Sequence, residues 1–266
     1  MRLKLALSVV VTLLAAAATG ALAQRSLTVA QGTAPDTLDA QRSTVQQTLN
    51  VSYHINEPLF QLDYATSDIT PLLGKSLVAV DDTTWEVKLQ EGVTFTNGEP
   101  FNAEAVRYSL LRVSKPELKS PATIYVRPIA DIAVVDEHTV RIATDGPAPA
   151  LPLYLTRIAM VPPAYIEEVG DDAFGQNPIG TGPFKLVRWV KDDRVVLAAN
   201  ADYWRGAPEL DQVTFVSIPE TATRMAALQT GEADIVTQVS VDQASLLERS
   251  GIVVAPVPGL RLMMIA

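Results

Sequence analysis

Two periodicities alternate along the chain. Leu27-Thr28-Val29-Ala30 forms a short apolar strand and runs into Gly32-Thr33-Ala34-Pro35-Asp36-Thr37-Leu38-Asp39, a loop whose Gly and Pro end it. A helix is predicted from about Ser43, with Val45, Leu49 and Tyr53 inward at helical spacing and Pro58 as its limit. Ser43 is the expected N-cap, and Gln46 three residues on would complete a capping box. From Val78 the period shortens to two. Trp85, Val87 and Leu89 alternate with Glu86, Lys88 and Gln90, the pattern of a half-buried strand, and Asp81-Asp82 supplies the turn before it. Val93 and Phe95 are predicted to continue the alternation to the Asn97-Gly98 turn. Asn102 then caps a helix with Val106, Leu110 and Val113 on one stripe and Glu104 near the positive end of its dipole.

Further along, Ile132-Ala133-Val134 and Val140-Arg141-Ile142 read as a hairpin across Asp136-Glu137-His138, with His138 solvated in the turn. Pro147, Pro149 and Pro152 are expected to forbid a regular element after it. Phe184 to Val190 and Val195 to Leu197 form another hairpin, turning at Asp192-Asp193. Beyond Pro219 come a helix over Thr221 to Thr230 closed by Gly231 and a strand at Asp234-Ile235-Val236. A helix over Val241 to Ser250 stopped by Gly251 follows, then a strand over Ile252 to Val257. Strands and helices alternate and no repeat period appears, which points to an α/β or α+β globular protein.

Composition sets one segment apart. Arg2 and Lys4 precede an apolar stretch from Leu5 to Ala18, and Ala21-Leu22-Ala23 offers a small-x-small cleavage site, so residues 1–23 read as a cleavable signal peptide. The apolar run is too short for a membrane span and is broken by Ser8 and Thr12. The chain has 21 basic and 30 acidic residues; removing the two basic residues of the leader leaves 19 − 30 = −11. Sequence-independent nucleic-acid binding needs clustered Lys and Arg, so this charge argues against it. With no cysteine, an exported chain has neither a disulfide framework nor a lipid-modified N-terminal Cys, and a soluble periplasmic location is expected.

Catalytic motifs are missing. There is no G-x-S-x-G elbow and no P-loop, and Gly180-Thr181-Gly182-Pro183-Phe184-Lys185 lacks the third glycine of a dinucleotide loop and leads into a strand. The glycines of that segment read as a tight turn with positive φ. Of the two histidines, His54 has only Glu57 at helical spacing, so a helix-end role is preferred to a metal site. No metal site, cofactor or enzymatic activity is expected.

Several segments carry a more specific signal. They are Gly32 to Asp39 with its G-x-x-P-x-x-L-D pattern, Glu57-Pro58-Leu59-Phe60, and Asp81 to Trp85 leading to Gly92-Val93-Thr94-Phe95. Asn97 to Glu104, Pro178 to Phe184, Asn200-Ala201-Asp202-Tyr203-Trp204-Arg205-Gly206 and Ala226 to Ile235 complete the set. Taken in order, they resemble the solute-binding proteins of ATP-driven peptide and nickel importers, the class called family 5 extracellular binding proteins. The resemblance implies an α/β fold of the periplasmic binding protein-like class II, peptide-binding type, whose two lobes close on a solute by a hinge motion. It also implies, as partners, a small peptide-like solute and the permease subunits of an ABC transporter, and a monomeric state.

By the same resemblance, residues 24–56 and 178–266 belong to the first lobe and residues 57–177 to a subdomain inserted into it. Leu262 to Ala266 is an apolar run with no turn or capping residue after it. Relatives are about twice as long, so the chain is expected to lack the second lobe. A fragment without a competent ligand site is the alternative, and a nickel complex or a saccharide ranks below a peptide as cargo. Expected first-lobe ligand contacts are Arg42, Ser43, Thr44 and Gln46 after Leu38-Asp39, with Tyr125 and Gln238 as further candidates.

Overall fold

The structure, a computed structural model, describes residues 25–256 apart from the side chain of Val241. The predicted leader, Val257 and the terminal apolar run lie outside the described residues. In chain order the first elements are β1 (Ser26–Gln31), α1 (Gln46–Ser52), β2 (Phe60–Leu62), β3 (Ile69–Pro71), β4 (Gly74–Ala79) and β5 (Thr84–Leu89). Then come α2 (Ala103–Val113), α3 (Thr123–Val126), β6 (Ile129–Asp136), β7 (Thr139–Thr144), α4 (Leu151–Tyr154), α5 (Pro163–Val169) and α6 (Asp171–Gln176). The last are β8 (Phe184–Val190), β9 (Arg194–Ala199), β10 (Gln212–Ser217), α7 (Thr221–Thr230), β11 (Ile235–Val236) and α8 (Val241–Arg249).

Strands from the two ends of the described chain share one sheet, in the order β11-β1-β10-β9-β8. Its centre is parallel: Val29 lies opposite Phe215 of β10 and Ile235 of β11. The β8–β9 hairpin adds antiparallel strands at one side. Strands from the middle of the chain form a separate antiparallel sheet, β4-β5-β7-β6, and β2–β3 is a small hairpin. Each sheet has its own core. Val29, Ile55, Phe184, Leu197 and Phe215 pack beneath the first. Val87, Leu89, Val106, Leu110, Val113, Val140 and Ile142 pack between the second and α2. Burying each such side chain contributes about 1.5–3 kcal/mol.

The predicted helix stripe Val106, Leu110 and Val113 is buried as expected, and Asn102 caps α2 by accepting from the Ala105 amide at 3.0 Å. The α1 boundary differs from the prediction. Residues 40–42 form a single 3₁₀ turn capped by Asp39, Ser43 is extended, and the helix begins at Gln46. The capping box is therefore absent: Ser43 Oγ accepts from Val45 N, Gln46 reaches forward to Asn50, and Val45 is exposed. Val93 and Phe95 are buried without forming a strand, since this stretch makes only the bridge Thr94–Pro100. Pro152 does not prevent a helix, because it falls in the first turn of α4 where its missing N–H costs nothing. Residues 252–256 contain no strand. His138 is half-buried rather than solvated, with Nδ1 enclosed and unpartnered.

Candidate functional site

The parallel strands β11, β1 and β10 end at one edge, and in open α/β sheets ligands bind outside such carboxyl ends. The loop from Gly32, the segment Ile218 to Glu220 and the segment Thr237 to Ser240 all leave from this rim. The tip of the β8–β9 hairpin reaches it too, since Ser217 N donates to the Asp193 carbonyl at 2.8 Å. On the β8 side the rim opens into two adjoining polar cavities of about 340 and 480 Å³ that share Asp36, Gln176 and Trp189. Arg42, Asp172 and Gly175 wall the first, Arg188 and Lys191 the second. The Trp189 indole N–H is enclosed and unpartnered.

A buried charge cluster holds the loop that supplies Arg42. Asp39 and Arg112 are both fully buried and meet at 2.6 Å. The guanidinium also donates to Gln41 Oε1 at 2.8 Å and to Asp171 at 2.7–2.9 Å, and lies 5.4 Å from the Phe174 ring centre. Burial pulls the Arg112 pKa down, but the carboxylates of Asp39 and Asp171 outweigh it and the net shift is upward. Gln41 completes the fastening by donating to the carbonyls of Ser109 and Ala159, while its own carbonyl accepts from the Ser120 hydroxyl. With residues 39 and 41 tied down, Arg42 is left facing the cavity, where it pairs with Asp172 at 2.7 Å.

A second buried charge joins three of the segments read separately in the sequence. Glu57, only 3% exposed, accepts from Tyr203 OH at 2.6 Å and from Thr181 Oγ1 and Trp204 Nε1 at 2.9 Å. Burial raises its pKa, against the pull of those hydrogen bonds. Gly180-Thr181-Gly182 threads between this group and the end of α1. Gly182 N and Phe184 N donate to the Ile55 and His54 carbonyls, and Asn56 Nδ2 donates to the Ile179 carbonyl. Neither glycine has a positive φ, contrary to the turn reading. They are glycines because a Cβ at 180 would lie 2.0 Å from Ile55 O, and one at 182 would lie 2.4 Å from His54 O. His54 is structural: Nδ1 donates to the Asn50 carbonyl at 2.7 Å, the ring packs against Phe184 and Phe215, and burial lowers its pKa. A cavity of about 420 Å³ lies beside Glu57, bounded by Tyr53, Tyr64, Arg157, Tyr203 and Arg205.

The predicted site residues do not form one cluster. Arg42 lines the rim cavity, Thr44 is exposed, and Ser43 is buried with its hydroxyl engaged locally. Gln46 borders the cavity beside Glu57 instead. Tyr125 packs on the core of the middle sheet, 5.7 Å from the Tyr154 ring. Gln238 returns to the rim, where its side chain lies against Gly32. Asp36, Gln176 and Trp189 were not foreseen. Only the aromatic at 189 gives a sequence signal, as a large side chain in an edge hairpin.

The fold and rim are those of a solute-binding protein, and the similarities define the class. The model of the bacterial extracellular solute-binding proteins, family 5, matches residues 68–266. The chain is 35% identical over 250 residues to the glutathione-binding protein GsiB of Shigella dysenteriae, covering 92% of this chain and 48% of that protein. Among solved structures it resembles the periplasmic binding protein DppA of Helicobacter pylori in complex with the peptide STSA, at 27% identity and a TM-score of 0.76. That match covers 84% of this chain and 48% of DppA. A nickel ABC transporter structure from Bacillus halodurans matches at 29% identity and a TM-score of 0.71, over 85% of this chain and 45% of that one. The chain belongs to the family 5 extracellular solute-binding proteins, a family of transporter binding components rather than enzymes. It spans about half the length of the curated relatives it matches. Among the described residues no helix is long and apolar enough to cross a membrane.

Proposed function

We propose that the chain is the solute-capturing component of an ABC importer for a di- or oligopeptide or a similar small solute, which it delivers to the membrane permease. The observation that carries this reading is the 35% identity to a glutathione-binding protein across 92% of the chain. Residues 24–56 and 178–266 act as the first lobe and residues 57–177 as its inserted subdomain. Export follows cleavage after Ala23 into the periplasm. Arg42 and Gln238, both at the rim, are the predicted side chains with the strongest claim to first-lobe contacts.

Thermal-shift and calorimetric titration with glutathione, di- and tripeptide pools and a nickel–histidine complex tests the proposal. A ligand at a hundred times its Kd stabilises the folded state by about 2.7 kcal/mol, so a peptide or glutathione raises the melting midpoint. A flat response to every peptide overturns the peptide assignment. A response confined to the nickel complex supports the second reading, a metal-complex cargo, which the similarity to the Bacillus halodurans structure favours.

A further inference from the structure

Charge is unevenly distributed around the cavity beside Glu57. That cavity borders α1 from Gln46 to His54 and reaches Pro183 and Tyr203, which lie toward the amino ends of β8 and β10, away from the carboxyl rim. Its volume of about 420 Å³ falls within the roughly 300–1,000 Å³ of small-molecule pockets. Leu49, Pro58, Leu62 and Leu72 give it apolar walls, and two arginines, Arg157 and Arg205, border it from different segments. The chain has 30 acidic residues against 21 basic. Yet among the described residues no ion pair includes either arginine. Each guanidinium is set over an aromatic ring instead, Arg157 at 5.7 Å from the Tyr64 ring centre and Arg205 at 5.7 Å from that of Trp204.

A ring face steadies a cation without consuming its N–H donors, so the planar fork of an arginine held this way stays available to a carboxylate. Glu57, the only carboxylate among the described residues that line the cavity, does not fill that role. Its Oε1 accepts from Tyr203 and its Oε2 from Thr181 and Trp204, it is 3% exposed, and the charge of Arg205 is the weakest of the pulls on it. Gln46, Gln61 and Thr156, also at the wall, carry no charge. The cavity thus pairs apolar walls with two cations that no carboxylate of the described chain neutralises, which suits a ligand group with an apolar stem and an anionic end.

We propose that this cavity takes an acidic side group of the solute, with Arg157 as the residue that selects it and Arg205 as a second positive charge. The inference rests on the peptide reading above and narrows it from any small peptide to one that carries a carboxylate off its main chain. It is tested by calorimetric titration of the protein with Ala-Glu-Ala and Ala-Gln-Ala, beside the peptide pools. The two tripeptides share length, termini and shape and differ only in one side-chain charge. The glutamyl peptide is expected to bind at least tenfold more tightly. Arg157→Gln is expected to bring the two within twofold of each other, Arg157→Lys to keep part of the preference, and Arg205→Gln to narrow it about threefold. Equal binding of the two peptides, or a tenfold preference that survives Arg157→Gln, overturns the proposal and leaves the peptide reading standing. The same holds if Ala-Glu-Ala fails to bind while pool peptides do. Should Arg157→Gln not fold, Arg205→Gln takes its place, and a preference unchanged from the unsubstituted protein overturns the proposal. If no peptide binds at all, the peptide reading itself fails, and this proposal with it.

Discussion

Arg112 and Glu57 are both buried charges that fasten the ends of the chain to its middle, and they do so by opposite means. Arg112 is neutralised by full charges: Asp39 from the loop after β1 and Asp171 from α6 meet its fork at 2.6 and 2.7 Å. Glu57 has no ion pair within 4 Å among the described residues and is held by a hydroxyl, a phenol and an indole, with the charge of Arg205 the weakest of the pulls toward its ionised form. The contrast shows in their proton affinities. Arg112 is driven further toward its charged form, whereas Glu57 is driven toward its neutral one. A charge met by charges cannot lose one partner cheaply, because the other is left uncompensated in a dry interior. A charge met by neutral dipoles can be replaced by a neutral group of the same shape.

The largest effect is therefore expected at Arg112. Arg112→Ala leaves the Asp39 carboxylate fully buried and unpaired and is predicted to cost about 3–5 kcal/mol in denaturant unfolding. Arg112→Lys recovers only part of this, since an ammonium cannot serve Asp39, Gln41 and Asp171 in one plane. A loss below about 1 kcal/mol in the alanine variant, the range of an exposed pair, would show that water reaches Asp39 and would remove the contrast. Next in size is Gly180→Ala. Its Cβ would meet the Ile55 carbonyl at 2.0 Å and Asn56 Nδ2 at 2.5 Å, so either the Thr181–Glu57 bond or the end of α1 must move. Overpacking of this kind costs about 1–3 kcal/mol, read from the same unfolding curves.

The two fastenings also differ in how far the sequence announces them. The Glu57 site is built from Glu57-Pro58, Gly180-Thr181-Gly182 and Tyr203-Trp204, each conspicuous as a local motif, and the structure shows that they are conspicuous together because they touch. What sequence could not show was the reason for the glycines, which lies in a carbonyl more than a hundred residues away rather than in local φ. Of the Arg112 site only Asp39 is announced, as the last residue of the G-x-x-P-x-x-L-D pattern; nothing marks Arg112 itself. Hydropathy would put Leu111 inside and Arg112 outside, and the structure has the reverse, with Leu111 41% exposed and Arg112 fully buried. The partner that reverses the pattern, Asp39, lies 73 residues earlier, in a motif that does not say which side chain it meets. The first-sheet strand β10 escaped prediction although its Val213 and Phe215 alternate, and the start of α1 was misplaced because the 3₁₀ turn ahead of it is fixed by Gln41 contacts from distant segments. Rim residues such as Arg42 were readable as loop residues, but which of them face a cavity depends on these long-range fastenings.

A smaller effect is predicted for Glu57→Gln. The amide can keep an oxygen toward Thr181 and Trp204 and donate its NH₂ to the Tyr203 hydroxyl, so the loss near neutral pH is about 1 kcal/mol or less. Its pH dependence sharpens the comparison furthest. Burial raises the folded-state pKa of Glu57 above its ordinary value of 4.5, which the unfolded chain keeps. Between those two values the folded protein binds more protons at this site than the unfolded one, so the contribution of Glu57 to stability falls as pH rises. It is fully present below 4.5 and lost once pH passes the raised folded value. The substituted amide does not titrate, so the stability difference between the wild type and Glu57→Gln is expected to favour the wild type most at acid pH and to shrink, or reverse, toward neutrality. Denaturation midpoints of both proteins from about pH 4 to about pH 8 at constant ionic strength measure this directly. A gap that stays constant across that range would mean that Glu57 titrates alike in both states, and that the neutral dipoles around it compensate its charge as fully as Asp39 and Asp171 compensate Arg112.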